Sequence, residues 1–132
     1  MFKGNVLVVD DEQNILKMVE LALNSLGFQA EVFGDPVAAL KRAQEKYFDI
    51  AFVDLKMQPM DGLQVLSELK RLSDETTIVL MTAHGTIESA VEAIKKGAYD
   101  YLTKPFSYQE FTHIAERVYE HHHLIKEVKG LR

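Results

Sequence analysis

Short apolar runs alternate along this chain with longer stretches in which apolar residues recur every three or four positions. Val6-Leu7-Val8-Val9 and Ile50-Ala51-Phe52-Val53 are apolar at every position and rich in branched or aromatic side chains. Such runs predict strands covered on both faces, as in parallel sheets. The strands expected on this basis are 5–9, 29–33, 49–53, 77–81 and 99–102. The longer stretches carry helix signals. Ile15, Leu16, Val19, Leu23 and Leu26 share one face and end at Gly27, a fitting C′ residue. Asp35-Pro36 supplies an N-cap acid and a proline at N1 for a helix bearing Val37, Leu40 and Ala43. Asp61 with Gln64 forms the pattern of a capping box for a helix through Leu72. Thr86 opens a helix with Ile87, Ala90, Val91 and Ile94, closed by Gly97. Ser107 with Glu110 opens a long last helix over 107–128.

The strand–helix unit therefore occurs five times, which predicts an α/β fold: a doubly wound, five-stranded parallel sheet with helices on both faces and right-handed crossovers. In such sheets ligands bind beyond the carboxyl ends of the strands. The first strand ends in Asp10-Asp11, the third in Asp54, the fourth in Thr82 and the fifth in Lys104-Pro105. If these strands are central, three carboxylates, a hydroxyl and an ammonium meet at one rim. Carboxylates packed together raise one another's pKa, and a hard cation relieves them. Mg²⁺ suits the set, because it takes one or two carboxylates and completes its octahedron with water and phosphate oxygens. A metal-bound acid beside a lysine and a hydroxyl is arranged to stabilise a transferring phosphoryl group, and a carboxylate can itself be the nucleophile. Taken singly, Asp10 or Asp11 could be a helix cap, Thr82 an ordinary strand-end residue and Lys104 a solvated loop lysine. Their coincidence on successive strand ends argues for a site.

Composition narrows the field. A chain of 132 residues, 47% hydrophobic and 27% charged, is one globular domain by size and make-up. It has no cysteine, so thiolate and disulfide chemistry are excluded. Its net charge of −5 disfavours contact with a nucleic-acid backbone. No apolar run approaches the roughly 20 residues of a membrane helix, and the start of the chain is too short and acidic for a signal peptide, so a cytoplasmic location without membrane contact is expected.

Four segments together resemble the receiver domain of two-component response regulators: Val6-Leu7-Val8-Val9-Asp10-Asp11, Asp54-Leu55-Lys56-Met57-Gln58-Pro59-Met60-Asp61-Gly62, Met81-Thr82-Ala83, and Gly97 through Phe106. The resemblance covers residues 4–120 and implies a flavodoxin-like (βα)5 fold with strand order 2-1-3-4-5. It implies that Asp54 accepts a phosphoryl group from a histidine kinase or phosphotransfer protein. Asp11 and Asp54 would hold Mg²⁺ by side chain and Lys56 by its backbone carbonyl, with Asp10 orienting the metal's water. Lys104 would pair with the phosphoryl group, Thr82 would swing toward it, and Tyr101 would turn inward behind Thr82. This amounts to a population shift that alters the face formed by the fourth helix, fifth strand and fifth helix. Lys56 and His84 flank the path of hydrolytic water and would tune the lifetime of the phosphorylated form. The family usually has Pro directly after the Met of the phospho-acceptor loop; here Gln58 intervenes before Pro59.

The last helix exceeds what a strand of about 17–20 Å needs, since 107–128 would span about 33 Å. Phe111, Ile114, Val118, His121, Ile125 and Val128 make a heptad-like stripe, with His121 near the seam. Packing on the sheet accounts for it to about Val118. The expected division is thus a receiver over 1–120 and an extension of the last helix over 121–132, serving as a linker to a covalently attached effector or as a homodimer contact. The effector would be a transcriptional one by analogy. His121-His122-His123 is not a metal site, because adjacent helix positions point about 100° apart. Three rivals to a phosphorylation switch remain in view. A haloacid-dehalogenase-like phosphatase would want an acid where Lys56 stands. A flavodoxin-like cofactor carrier would want a glycine loop where Asp10-Asp11-Glu12 stands. A degenerate scaffold would lack some of the pocket residues, all of which are present.

Overall fold

The computed structural model describes residues 2–83 and 85–130, with side chains as far as residue 127. His84 and the side chain of Val128 lie outside the described residues. Five strands alternate with five helices: β1 (Gly4–Val9), α1 (Gln13–Ser25), β2 (Phe28–Phe33), α2 (Pro36–Glu45), β3 (Ile50–Asp54), α3 (Gly62–Leu72), β4 (Thr77–Thr82), α4 (Ile87–Lys95), β5 (Asp100–Thr103) and α5 (Tyr108–Gly130). All strand pairs are parallel, in the order β2-β1-β3-β4-β5. The expected elements are all present, with ends displaced by a residue or two.

Alternation along the central strands divides the core into two layers. Val6, Val8, Ile50, Phe52, Val79 and Met81 face α1 and α5, where the rings of Phe52 and Phe111 lie 4.8 Å apart. Leu7, Val9, Ala51, Val53, Ile78 and Leu80 face α2, α3 and α4. With both faces covered, the polar groups of these strands emerge only at their ends, which is what assembles a rim. Local signals operate as the residues predict. Asp35 accepts from the Val37 N–H, and Asp61 and Gln64, Thr86 and Ser89, and Ser107 and Glu110 form capping boxes. Gly27 and Gly97 have φ of 102° and 112°, the left-handed conformation that ends α1 and α4.

Three helices depart from the pattern read in the sequence. On α2 the buried residues are Pro36, Ala39 and Leu40, while Val37 is half exposed. On α4 only Ala93 is fully buried; Ile87, Val91 and Ile94 face solvent, Ile87 with 86% of its surface exposed. Helix α5 buries Phe111, Ile114, Ala115 and Val118 and then His122 rather than His121. A straight helix advances at 3.6 residues per turn, so its buried line runs 111, 115, 118, 122 and drifts off a strict heptad. His121 is half-buried instead and stacks on Tyr99 at 4.0 Å between ring centroids. The stripe through Val118 is therefore consumed within its own domain.

Gly62, the first residue of α3, passes so close to β3 that a Cβ there would lie 2.7 Å from the Leu55 Cα. Its own N–H donates to the Leu55 carbonyl at 2.7 Å. The Gly62→Ala variant is expected to lose about 1–3 kcal/mol, because backbone on both sides must shift. Urea or thermal denaturation checks this, and unchanged stability would refute the close approach.

Candidate phosphoryl and metal site

Asp10 follows β1, Asp54 ends β3, Thr82 ends β4, and Lys104 follows β5. The register of β1 with β3 pairs Val9 with Val53, so the two acids that follow are neighbours. Backbone contacts fix the other contributors. The Lys104 N–H donates to the Thr82 carbonyl at 2.7 Å, and the Leu55 N–H donates to the Met81 carbonyl at 2.7 Å. The peptide bonds Gln58–Pro59 and Lys104–Pro105 are both cis.

The Lys104 Nζ lies 2.7 Å from Asp10 Oδ2, 3.4 Å from Asp54 Oδ1 and 3.7 Å from a Glu12 carboxylate oxygen. Asp10 is fully buried, and Asp54 and Lys104 nearly so. Asp10 Oδ1 accepts the Glu12 N–H at 2.9 Å and so shapes the turn into α1. Asp10 is thus both a local turn residue and a member of the site. Its Oδ2 has the ion pair but no well-aligned hydrogen bond. Asp11 is exposed at the mouth, where a hollow of about 270 Å³ is lined by Asp11, Lys56, Met57, Gln58 and Asp61.

The electrostatics follow from burial and crowding. Burial, then the Asp10 carboxylate, push Asp54 up to about 6, with Lys104 pulling in the opposite direction and Asp11 adding a smaller upward push. Asp10 is raised chiefly by burial, against the pull of Lys104 and the Glu12 N–H. Burial works against the Lys104 ammonium, but the Asp10 carboxylate, helped by Asp54 and Glu12, holds it above its usual range. The Lys104 ammonium thus faces three acids, Asp11 adds a fourth beside Lys56 at the mouth, and the residual charge is negative. Ligand oxygens from Asp10, Asp11 and Asp54 lie within 4.8 Å of one another. An all-oxygen, under-neutralised set with a buried oxygen short of a hydrogen bond fits a hard divalent cation.

The structure brings Asp10, Asp11, Asp54 and Lys104 together, with Thr82 buried at the adjoining strand end. Lys56 is exposed and lines the hollow beside Asp11. Tyr101 stands further out on β5, half-buried, with its hydroxyl over Gly85, where a Cβ would come within 2.6 Å of it. His84 is outside the described residues. Two contributors were missed in the sequence. Glu12 looked like part of an acidic run, and Gly62 had no visible mark because its role is one of space.

The sequence model of the response regulator receiver domain matches residues 6–116. The chain belongs to that family. The receiver is 34% identical over 128 residues to the regulatory protein AtoC of Escherichia coli, and 37% identical over 130 residues to the nitrogen assimilation regulatory protein NtrX of Azorhizobium caulinodans. These matches cover 97% of this chain but only 28% and 29% of those proteins. Among solved structures it superposes on NtrX from Brucella abortus in complex with ADP with a TM-score of 0.91, at 36% identity, over 100% of this chain and 30% of that one. On the BeF3-activated DrrB receiver domain the TM-score is 0.83 at 30% identity, over 91% and 99% of the two chains. The receiver is thus related to the regulatory proteins AtoC and NtrX and spans under a third of their length.

A pH dependence follows from Asp54. Its native pKa of about 6 lies above the unfolded value of about 3.9, so the native state holds the extra proton between pH 4 and 6. Stability contributed by the neutral acid is present below pH 4 and is lost as pH rises through 6. In metal-free protein, Asp54→Asn is expected to raise stability above pH 6 by at most about 3 kcal/mol and to change little at pH 4. Thermal melts across pH 4–8 in the presence of a chelator check both the size and the direction.

Proposed function

We propose that this receiver is a phosphorylation switch in which Asp54 is the phospho-acceptor and Mg²⁺ the cofactor. The observation that carries the reading is the position of the Lys104 Nζ between two buried carboxylates, 2.7 Å from Asp10 and 3.4 Å from Asp54. With Asp54 at about 6, the ionised nucleophile still predominates at neutral pH. Asp11, Asp54 and the Lys56 backbone carbonyl would hold the ion, and Asp10, which anchors Lys104, would orient its water. The bound cation would neutralise the charge that builds on the phosphoryl oxygens. Lys104 supplies a fixed positive charge beside Asp54. The donor is a histidine kinase or a phosphotransfer protein.

The phosphoryl group then biases a two-state element through a contact that only one state offers. Thr82 makes that contact, and Tyr101 follows it inward from its half-buried place on β5. Lys56 and His84 set how readily water reaches the acyl phosphate. The output face is formed by α4, β5 and α5, where Ile87, Val91 and Ile94 stand exposed. Residues 1–120 form the switch, and the extension from residue 121 leads to a covalently attached effector of the transcriptional kind. Any homodimer contact on α5 falls on the extension, where Leu124 is exposed, because Phe111, Ile114 and Val118 are already buried.

Incubation with a small acyl phosphate and Mg²⁺ should add the mass of one phosphoryl group to the intact protein, and Asp54→Asn or removal of Mg²⁺ should abolish the gain. Uptake by the Asn variant would overturn the assignment. Thr82→Ala should still take up phosphate but fail to shift the amide resonances of α4. A full α4 response in that variant would exclude Thr82 as the switching contact.

A further inference from the structure

The edge of the sheet opposite the acids carries a second buried polar cluster. His122, in the extension of α5, is only 4% exposed. Its Nδ1 lies 3.0 Å from Thr77 Oγ1, and its Nε2 lies 3.3 Å from Asp49 Oδ1 and 3.5 Å from the Tyr47 hydroxyl. A neutral ring with its hydrogen on Nε2 would face the carboxylate with that N–H and leave Nδ1 to accept from the Thr77 hydroxyl. Asp49 is itself fixed: its Oδ2 accepts the Asn5 N–H at 2.9 Å, and Lys126 Nζ, one turn beyond His122, lies 3.6 Å from its Oδ1. Burial opposes the Asp49 charge, but His122, the Asn5 N–H and Lys126 hold its pKa below the usual carboxylate range. Lys126 also lies over the Tyr47 ring, 5.9 Å from its centroid.

The placement of these partners gives the cluster its meaning. Asn5 lies near the start of β1, Asp49 immediately precedes β3, and Thr77 opens β4. The other ends of these same three strands present Asp10, Asp54 and Thr82. The extension of α5 is thus fastened to the strands that carry the site, at the edge remote from it. The contact of His122 with Thr77 is directional and buried, and among the described residues no part of α4 contributes to the cluster.

We propose that His122 is a positioning residue that fastens the extension of α5 to the lower edge of β1, β3 and β4, so that the segment leaving the receiver keeps one direction in both states of the switch. The proposal rests on the reading of α5 as the path to an effector. In it, α5 is a fixed strut referenced to the sheet, and the phosphorylation signal is expressed by α4 and β5.

The test is amide hydrogen exchange on the whole chain, with and without acyl phosphate and Mg²⁺. Thr77→Val removes one hydroxyl while keeping the shape and strand preference of the side chain, and His122→Ala removes the ring. Each should speed exchange of amides 119–127 at least tenfold while leaving 111–118 and phosphate uptake at Asp54 unchanged. In the unsubstituted protein, phosphorylation should leave the protection of 119–127 as it was. Unchanged exchange of 119–127 in Thr77→Val overturns the proposal, and so does acceleration spread equally over 111–118. Release of 119–127 by phosphorylation alone also overturns it. Should His122→Ala fail to fold, Thr77→Val still decides. Absence of phosphate uptake in the unsubstituted protein would instead sink the proposed function, while the exchange data on the unphosphorylated chain would still judge the fastening.

Discussion

The ammonium of Lys104 sits 2.7 Å from one buried carboxylate and 3.4 Å from another, and the upper edge of the sheet depends on it. Without a counter-charge, Asp10 and Asp54 could not share a rim that solvent barely reaches. With it, the rim is tolerated but remains under-neutralised, since Asp11 and Glu12 add further negative charge. Replacement of a buried ion pair by apolar groups is often neutral or stabilising, so this arrangement is not explained by stability alone. Its residual charge suits a hard cation, and burial with crowding holds the Asp54 carboxyl up to about 6.

That chemistry is possible only because the body of the sheet is fully covered. Each central strand has apolar side chains on both faces, packed against α1 and α5 on one side and α2, α3 and α4 on the other. Polar residues are thereby confined to the strand ends. The carboxyl ends carry the acids, Thr82 and Lys104. The amino ends carry Asp49 and Thr77, which receive His122, and Asn5, whose backbone N–H holds Asp49. The domain has two polar edges joined by the same three strands, one suited to phosphoryl chemistry and the other to holding a helix.

The helices differ in how firmly they are tied to this body. Helix α5 buries Phe111, Ile114, Ala115 and Val118 and then adds directional contacts through His122. Helix α4 fully buries only Ala93 and leaves Ile87, Val91 and Ile94 in water. A segment with few buried apolar contacts opens at lower free energy than the core, and α4 is such a segment.

The sequence alone determined the five strand–helix units, because periodicity and capping are local properties. Asp35 with Pro36, Asp61 with Gln64, the cap Thr86, and Ser107 with Glu110 act within a single turn of chain and were legible without any tertiary information. The acids, Thr82 and Lys104 were legible as strand-end residues, because the sheet's apolar interior leaves such groups nowhere else to go. Tertiary structure decided what depends on approach between distant segments. It paired Asp10 with Lys104, pressed Gly62 against Leu55, and turned the apolar side of α4 outward. It also chose His122 over His121 for burial, since a straight 3.6-residue helix drifts from a heptad and only the position of Asp49 and Thr77 on the sheet shows which imidazole meets a partner.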